Sequence, residues 1–549
     1  MGSESAADSS GVKAGPDARE GKQSPPSGSK RLLRPALVVT AFIIGGQVVG
    51  FLTQIVVAAA FGARSDMDAF LAANTLPQYT IAVLLGALAS VFIPVFVDHT
   101  VSGREAEAWK VASGIITLSV LVLGGLSFVG ILFAKPLLRA STPGLSASSL
   151  NLATAIAVIT WPTVVATGLI SLLSAIYQAQ GRFGWQAAVP FIGALVNLAL
   201  VIVLTGEMGV VGVALAATIG VVVQVAFLMP VLLRSHRFKL LINWDYPGVR
   251  QVVYLLVPLL LSGLFVRLTP IVDRYLASDL AEGSISHLGY SYKILVMISV
   301  LIGTGLTTVI FPRMATNLAG KDENAFKHTV SLGLRSMWIV VAPVIVIGSI
   351  LAQPLVTAVL QRHNFLPGDS ASVAQLLKIY LPALIPICLG NITGRALYAL
   401  KLTRVLSIVG AIEATAYVFY TVLLARWFGI IGIVWGYVIY FNVSLLWQIA
   451  LIWYKTGRRG GRSVVSSFTR TGLSAILGGV VTWGVSTIFA SVWAQIMLAG
   501  ISGLFVYVVA LGTLGSPEVR TIWDKAALRV RSNLNMRATV AANKPKQKS

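Results

Sequence analysis

Apolar runs long enough to cross a lipid bilayer recur along this chain with almost no polar insert between them. A helix needs about 20 residues to span the hydrocarbon core, and fourteen stretches satisfy this requirement. Their approximate bounds are 36–58, 69–97, 110–133, 150–177, 185–205, 208–233, 251–277, 287–311, 329–352, 373–399, 405–425, 429–454, 469–490 and 492–514. The pattern predicts an all-α polytopic membrane protein with about 14 transmembrane helices.

The composition agrees with this class and argues against several others. Of the 549 residues, 56% are hydrophobic and 11% are charged, which is typical of a membrane protein. Residues 1–35 should form a disordered cytoplasmic tail because they cannot build a core, and residues 515–549 a basic cytoplasmic tail. One cysteine, Cys388, and five scattered histidines give no metal-binding pattern. We expect no metal, no cofactor and no enzymatic activity.

The basic residues are distributed unevenly between the two ends of the predicted helices. With the N-terminus placed inside, 31 lysines and arginines fall in the cytoplasmic segments or at the cytoplasmic ends of the apolar runs, and 5 fall in external segments. Cytoplasmic loops of membrane proteins carry such an excess. The formal net charge of +22 therefore indicates topology, with both termini in the cytoplasm, and not nucleic-acid binding.

The chain also contains an internal repeat. "SAIYQAQGRFGWQ" at 174 resembles "GRALYALKLTRVL" at 394 with its tyrosines 221 residues apart, and "GEMGVVGVALA" at 206 resembles "RWFGIIGIVWG" at 426. We therefore predict two parallel six-helix lobes, 36–233 and 251–454, followed by an extra helix pair over 469–514. Parallel repeats are common in transporters, with the substrate site near the midplane between the halves.

Polar side chains within the apolar runs are the candidate site residues. Gln47 and Gln54 are seven residues apart and share a helix face, where they either line a cavity or join neighbouring helices. Arg267 and Arg274 also share a face. A buried guanidinium needs a partner or water, so these arginines either bind an anionic group of the substrate or pair with Asp273.

Three further ionisable groups are candidates. Lys293 lies beside two tyrosines in the eighth run and either binds substrate or extends to the membrane surface. Asp273 and Glu413 are the embedded acids that could couple transport to an ion.

Several stretches carry a resemblance to a known family. They include "VVGFLTQIVVAAAFGARSDMDAFLAANTLP", "ALASVFIPVF" and "GSISHLGYSYKILV". Over about residues 40 to 455 the chain resembles the MviN/MurJ family of lipid II flippases, within the multidrug/oligosaccharidyl-lipid/polysaccharide exporter superfamily. The resemblance implies two six-helix lobes, an extra helix pair forming a lipid-side groove, and a cationic cavity that moves a polyprenyl-diphosphate-linked saccharide by alternating access.

The chain departs from the family in its first helix. Where the family has two arginines and an aspartate, this chain has Gln47, Thr53 and Gln54, whereas Asp68 and a cation at Lys293 match. We expect Gln47 and Gln54 to contact the saccharide, because amides suit hydroxyl groups. The predicted substrate-binding set is Arg267, Arg274, Lys293, Gln47, Gln54, Thr53 and Asp68.

The sequence thus favours a flippase for a lipid-linked saccharide, either a lipid II-like peptidoglycan precursor or an exopolysaccharide unit, in the bacterial inner membrane. Its partners would be that substrate, membrane lipids, and the enzymes of polysaccharide or cell-wall synthesis. Two alternatives stay open: a cation-coupled multidrug or small-solute exporter of the same superfamily, and a membrane scaffold without transport activity.

Overall fold

The computed structural model describes residues 29–235, 238–239, 246–319, 322–457 and 461–514. These residues form helices and connecting turns, and no strand occurs among them. The first eight helices are α1 (Ser29–Phe61), α2 (Ser65–Val101), α3 (Glu105–Leu132), α4 (Ala134–Ser141), α5 (Ala147–Thr160), α6 (Thr163–Ala179), α7 (Phe183–Leu228) and α8 (Pro230–Leu233). The next seven are α9 (Pro247–Val266), α10 (Thr269–Ser278), α11 (Ser284–Ala319), α12 (Glu323–Ile350), α13 (Ala352–Leu360), α14 (Pro367–Tyr380) and α15 (Leu384–Ala399). The last five are α16 (Thr403–Phe428), α17 (Ile430–Thr456), α18 (Gly461–Ile488), α19 (Val492–Ala494) and α20 (Gly500–Thr513).

The predicted all-α membrane fold is confirmed, but the described residues contain fewer membrane-spanning helical stretches than the sequence predicts. Twelve helical stretches among the described residues are long and apolar enough to cross a membrane. One of them, Phe183–Leu233, has 51 residues and contains two of the predicted runs. A further predicted run is divided between α9 and α10. These two differences account for the step from fourteen predicted helices to twelve.

Single glycines reverse the chain at two corresponding places. Gly209, inside α7, has φ 58° and ψ −142°, and Gly429, between α16 and α17, has φ 58° and ψ −136°. This left-handed region favours glycine because it has no Cβ. After each reversal a second glycine permits close packing: a Cβ on Gly212 or Gly432 would lie 2.6 Å or 2.0 Å from a backbone oxygen of the preceding helix.

The predicted repeat is visible in the lengths and positions of the helices. α3 and α12 each contain 28 residues, and α5 and α14 each contain 14. The two glycine turns are 220 residues apart, as 429 minus 209 shows. Equal elements in the same order indicate two halves of similar fold, while the bounds proposed for the lobes remain a prediction.

The alignment of the two Ala-X-Tyr motifs is wrong by one residue. In the turn after α6, the backbone N–H of Arg182 donates to the Tyr177 carbonyl oxygen at 2.9 Å; in the turn after α15, Leu402 donates to Leu397 at 3.0 Å. The structural offset is therefore 220, not 221, and Tyr177 corresponds to Leu397. The physical reason is the helix face: Tyr177 and Leu397 are both buried, whereas Tyr398 is 60% exposed.

The last helices pack beside one half of the molecule. α18 packs against α12 and against α20, with Ala342, Ala475, Tyr507 and Leu511 at the centre of the contact. The indole of Trp338 donates a hydrogen bond to the Phe468 carbonyl oxygen at 3.1 Å. The extra pair therefore lies against the C-terminal half, next to the site described below.

Candidate functional site

A cluster of hydrogen bonds joins α2 to the beginning of α11. It is named here the outer seal, because it lies at the end of the helices that the distribution of basic residues predicts to be external. The carboxylate of Asp68 accepts from the backbone N–H groups of Gly283 and Ser286, both at 2.7 Å, and from the Ser286 hydroxyl at 2.5 Å. The first N–H groups of a helix have no partner within it and attract negative charge. Asp68 is therefore occupied by protein donors and fixes the start of α11.

Neighbouring contacts extend the outer seal. The Tyr290 hydroxyl donates to the Gly62 carbonyl oxygen at 3.1 Å, and the Asn364 side-chain amide donates to the Ala60 carbonyl oxygen at 2.6 Å. Gly62 has φ 62°, and a Cβ there would lie 2.3 Å from the Asn364 oxygen. The end of α1 thus packs directly on two segments of the C-terminal half, which closes this end of the interface between the halves.

Lys293 and Gln54 meet below the outer seal. Lys293 is seven residues beyond Ser286 in α11, about 10 Å further along the helix axis. Its ammonium donates a hydrogen bond to the side-chain oxygen of Gln54 in α1, and both side chains are only partly exposed. The structure therefore brings these two predicted site residues together, and in this conformation Gln54 contacts a neighbouring helix.

Two arginines lie on the segment that leads to this pair. Arg267 is exposed at the break between α9 and α10, and Arg274 is partly exposed within α10. Arg274 lies within electrostatic range of Asp273, Tyr292 and Lys293. Among the described residues, neither arginine has an ion pair within 4.0 Å, so the arginine–aspartate pair that the sequence left open is not formed.

Asp273 instead accepts a hydrogen bond from the hydroxyl of Tyr417. Beside it, the rings of Tyr292, Tyr380 and Tyr437 pack on one another with centroids 5.3 to 6.2 Å apart. Aromatic rings at such distances stabilise each other. Arg274 and Lys293 therefore share one region of the interior with a cluster of tyrosines, while the exposed Arg267 lies within electrostatic range of Tyr292.

Glu413 lies in a separate polar contact between α16 and α17. Its carboxylate accepts a hydrogen bond from the indole of Trp447. No group of three or more histidines, cysteines and acids that could hold a metal occurs among the residues the structure describes. Asp273 and Glu413 thus each face an aromatic donor, and their predicted role in ion coupling stays a prediction.

The remaining predicted residues occupy two different environments. Gln47 is exposed and, within the described chain, makes no side-chain hydrogen bond. Thr53 is 2% exposed, and its hydroxyl donates to the Val49 carbonyl oxygen of its own helix at 3.0 Å. Within the described chain, Thr53 and Asp68 make no hydrogen bond or ion pair with Arg267, Arg274 or Lys293 in this conformation.

An apolar groove adjoins Lys293. It has a volume of about 640 Å³ and is lined by Phe51 of α1, Ile294 and Met297 of α11, and Leu504 and Tyr507 of α20, among others. Phe51 lies one turn before Gln54, and Ile294 follows Lys293 directly. The groove therefore begins where the polar region ends.

Sequence reasoning missed the aromatic partners of the site. Tyr380, Tyr417 and Tyr437 come from three different helices, and Trp447 from a position without any charged neighbour in sequence. The only local signal is the spacing of Tyr417 with Tyr420 and of Tyr437 with Tyr440, each placing two rings on one helix face. Nothing in that spacing identifies Asp273 as the partner.

Comparison with known proteins gives consistent results. The family model described as "Lipid II flippase MurJ" matches residues 57–503. A probable lipid II flippase MurJ of Vibrio cholerae is 26% identical over 518 residues, which cover 89% of this chain and 97% of that protein. The lipid II flippase MurJ of Burkholderia cenocepacia is 25% identical over 378 residues, covering 67% and 73% of the two chains.

Solved structures show the same fold. A lipid II flippase MurJ in an inward closed conformation superposes with a TM-score of 0.76 at 17% identity, covering 88% of this chain and 100% of that one. An inward-facing multidrug resistance transporter of the MATE family gives 0.64 at 15% identity, covering 77% and 99%. These identities support the architecture alone. Because the family model covers most of the chain, this protein belongs to the lipid II flippase MurJ family.

Proposed function

We propose that this protein is a flippase that moves a polyprenyl-diphosphate-linked saccharide across the bacterial inner membrane by alternating access. Members of its family are named for flipping lipid II, and such a protein is a transporter and not an enzyme. What we propose beyond membership of the family is which residues bind the substrate, how the substrate crosses the membrane and which sugar it carries.

The observation that carries it is the position of the cations relative to the apolar groove. Arg267, Arg274 and Lys293 provide positive charge, and guanidinium groups bind phosphate oxygens well. The groove begins one residue beyond Lys293 and is lined almost wholly by hydrocarbon. A diphosphate joined to a long prenyl chain has the same order of groups, an anion followed by an apolar tail.

The outer seal supports alternating access. The two halves are held together at the end of α1 and the start of α11 by Asp68, Tyr290 and Asn364, while Arg267 is exposed below. A transporter that opens to one side at a time needs such a closed end. We propose that the seal breaks when the protein opens to the opposite, external side.

The neutral residues of α1 bear on the identity of the sugar. Among the described residues, Gln47 is exposed and makes no side-chain hydrogen bond, whereas Gln54 is bound to Lys293, so of these two amides Gln47 is the one free for a saccharide in this state. We propose that Gln54 is released to the sugar when the phosphate groups attract Lys293. Both lipid II and an exopolysaccharide unit on the same lipid remain candidate substrates.

The test is a flipping assay in proteoliposomes with purified protein and fluorescent lipid II. The double variant Arg274→Gln, Lys293→Gln removes two cations of the site and should lower the flipping rate at least tenfold. Each lost charge-assisted hydrogen bond contributes about 1.5–3 kcal/mol, and tenfold corresponds to about 1.4 kcal/mol.

Arg64→Gln is the matched control, because Arg64 is an exposed cation at the outer seal that touches neither the site nor the groove. It should flip lipid II at the unmodified rate. Equal rates for the double variant and the unmodified protein would refute the role of the cations. If the unmodified protein does not flip lipid II but does flip another lipid-linked saccharide, that saccharide and not lipid II is the substrate.

A further inference from the structure

A second cavity, named here the basic pocket, lies in the N-terminal half and shares no lining residue with the apolar groove. It has a volume of about 310 Å³ and is formed where α6 ends, α7 begins and α8 ends. Arg182, Arg234, Tyr177, Gln180 and Trp109 contribute to its walls. This end of the helices is the one that the distribution of basic residues predicts to be cytoplasmic.

The two arginines of the basic pocket line the same cavity as Tyr177. Both lie within electrostatic range of the Tyr177 hydroxyl, although the Tyr177 side chain is only 3% exposed. Within the described residues, neither arginine has a carboxylate within 4.0 Å. By contrast, Arg104 at the same end pairs with Glu107 at 3.4 Å. Among the residues that the structure describes, the pocket therefore holds two positive charges without a counter-charge.

The surroundings place the pocket at the boundary between hydrocarbon and water. Phe183, next to Arg182, is 50% exposed, and Leu233, next to Arg234, is 69% exposed. The indole of Trp185 stacks on Phe227 with ring centroids 4.5 Å apart, and tryptophan is typical of the interfacial belt. Large apolar side chains exposed beside each arginine indicate that hydrocarbon borders the charges.

The corresponding turn of the C-terminal half lacks these features. By the structural offset of 220, Tyr177, Gln180 and Arg182 correspond to Leu397, Leu400 and Leu402. The pocket is therefore particular to the N-terminal half and is not a consequence of the shared fold.

We propose that the basic pocket binds the phosphate headgroup of an anionic phospholipid from the cytoplasmic leaflet. The two guanidinium groups and the Tyr177 hydroxyl would contact the phosphodiester, while the acyl chains lie along Phe183 and Leu233. Basic pockets between membrane helices on the cytoplasmic side suit such headgroups, and an apolar border on both sides favours a lipid over a free phosphate ion.

Native mass spectrometry of the purified full chain in neutral detergent tests this proposal. We would titrate phosphatidylglycerol and, separately, phosphatidylcholine, and compare the unmodified protein with the variant Arg182→Gln, Arg234→Gln. The variant should bind its tightest phosphatidylglycerol roughly 30-fold more weakly, from about a factor of five for each basic group near the membrane surface. Phosphatidylcholine binding should not change.

The matched control is Lys401→Gln, Arg404→Gln, which removes two exposed cations from the corresponding turn and should keep the tight phosphatidylglycerol adduct. The variant Arg182→Lys, Arg234→Lys keeps the charge without the planar donors and should bind with intermediate affinity. Equal affinities for all four proteins would overturn the proposal.

Two further experiments distinguish a lipid from a soluble anion and provide a test if the glutamine variant does not fold. Inorganic phosphate at millimolar concentration should not displace the lipid; displacement would identify a site for a soluble anion and refute the lipid. If the glutamine variant fails to fold, a photoactivatable phosphatidylglycerol is crosslinked to the unmodified protein. Crosslinks within residues 177–186 and 229–235 are expected, and crosslinks confined to other segments would refute the site.

Discussion

Lys293 of α11 donates a hydrogen bond to Gln54 of α1, and this contact joins the two halves of the protein inside the membrane. The positions belong to helices that the repeat assigns to different halves. The side-chain oxygen of Gln54 is therefore occupied by Lys293 in this conformation, and the function we propose requires substrate binding to break this contact.

The coupling between these two residues can be measured with a double-mutant cycle. Gln54→Leu leaves Lys293 without its acceptor, and Lys293→Met leaves Gln54 without its donor. Since the donor is charged, we expect a coupling of about 1–3 kcal/mol in the free energy of unfolding in detergent. If the losses of unfolding free energy in the two single variants add up to the loss in the double variant within about 0.5 kcal/mol, the contact does not persist in solution.

Gln47 should behave differently from Gln54, because it is exposed and makes no side-chain hydrogen bond among the described residues. Gln47→Leu should leave the melting temperature unchanged and lower transport several-fold, since one neutral hydrogen bond contributes about 1 kcal/mol. Transport per folded molecule and thermal stability are measured on the same preparation. Full transport by this variant would remove Gln47 from the substrate site.

Asp68→Asn should weaken the outer seal. The carboxylate accepts three hydrogen bonds at the start of α11, and replacing a charged acceptor costs about 1.5–3 kcal/mol. The seal should therefore open about 10- to 100-fold more often. Spin labels at the outer ends of α2 and α11 would report a larger population of long distances by pulsed electron resonance.

Asp66→Asn is the control for that measurement, because Asp66 lies in the same turn, is exposed and makes no side-chain hydrogen bond or ion pair with α11 among the described residues. It should leave the distance distribution unchanged. If Asp68→Asn gives the same distance distribution as the unmodified protein, the remaining contacts hold the seal closed without the carboxylate.

Filling the apolar groove should select against long prenyl chains. Met297→Trp adds a large ring to the wall of the groove and should slow flipping of a long-chain substrate more than flipping of a short-chain analogue with the same headgroup. The control Ile501→Trp places the same ring on an exposed position of α20. An equal loss for both chain lengths would argue that the groove does not hold the tail.

The orientation in the membrane remains to be measured. From the distribution of 31 basic residues against 5, we expect reporter fusions at residue 461 and at the C-terminus to show a cytoplasmic location. An external location for either fusion would reverse the assignment of the outer seal and of the basic pocket.

The sequence predicted the fold because hydropathy determines which segments lie in the membrane, and repeated glycines determine where they turn. It predicted less of the site. Periodicity shows which residues share a helix face but not which helix covers that face. Thr53 shows this clearly: it lies one residue from Gln54, yet it is buried and bonded to its own helix.

The partner of Asp273 could not be predicted for the same reason: periodicity does not show which helix packs on a given face. The sequence suggests an ion pair between Asp273 and an arginine. In the structure, Asp273 instead accepts a hydrogen bond from the hydroxyl of Tyr417, a residue of another helix. An arginine is a long side chain that can extend to water or to a ligand, while a tyrosine on a packed neighbour is already in place. Charge pattern alone cannot choose between these two.

The glycine reversals at Gly209 and Gly429 have a practical consequence. Each joins two long helical segments directly, without an intervening loop. An affinity tag or a fluorescent protein inserted at either point would force the helices apart, because the neighbouring glycines already bring the backbones into contact. Each pair should therefore move as one rigid piece, and labels intended to follow its motion belong at the opposite ends of these helices.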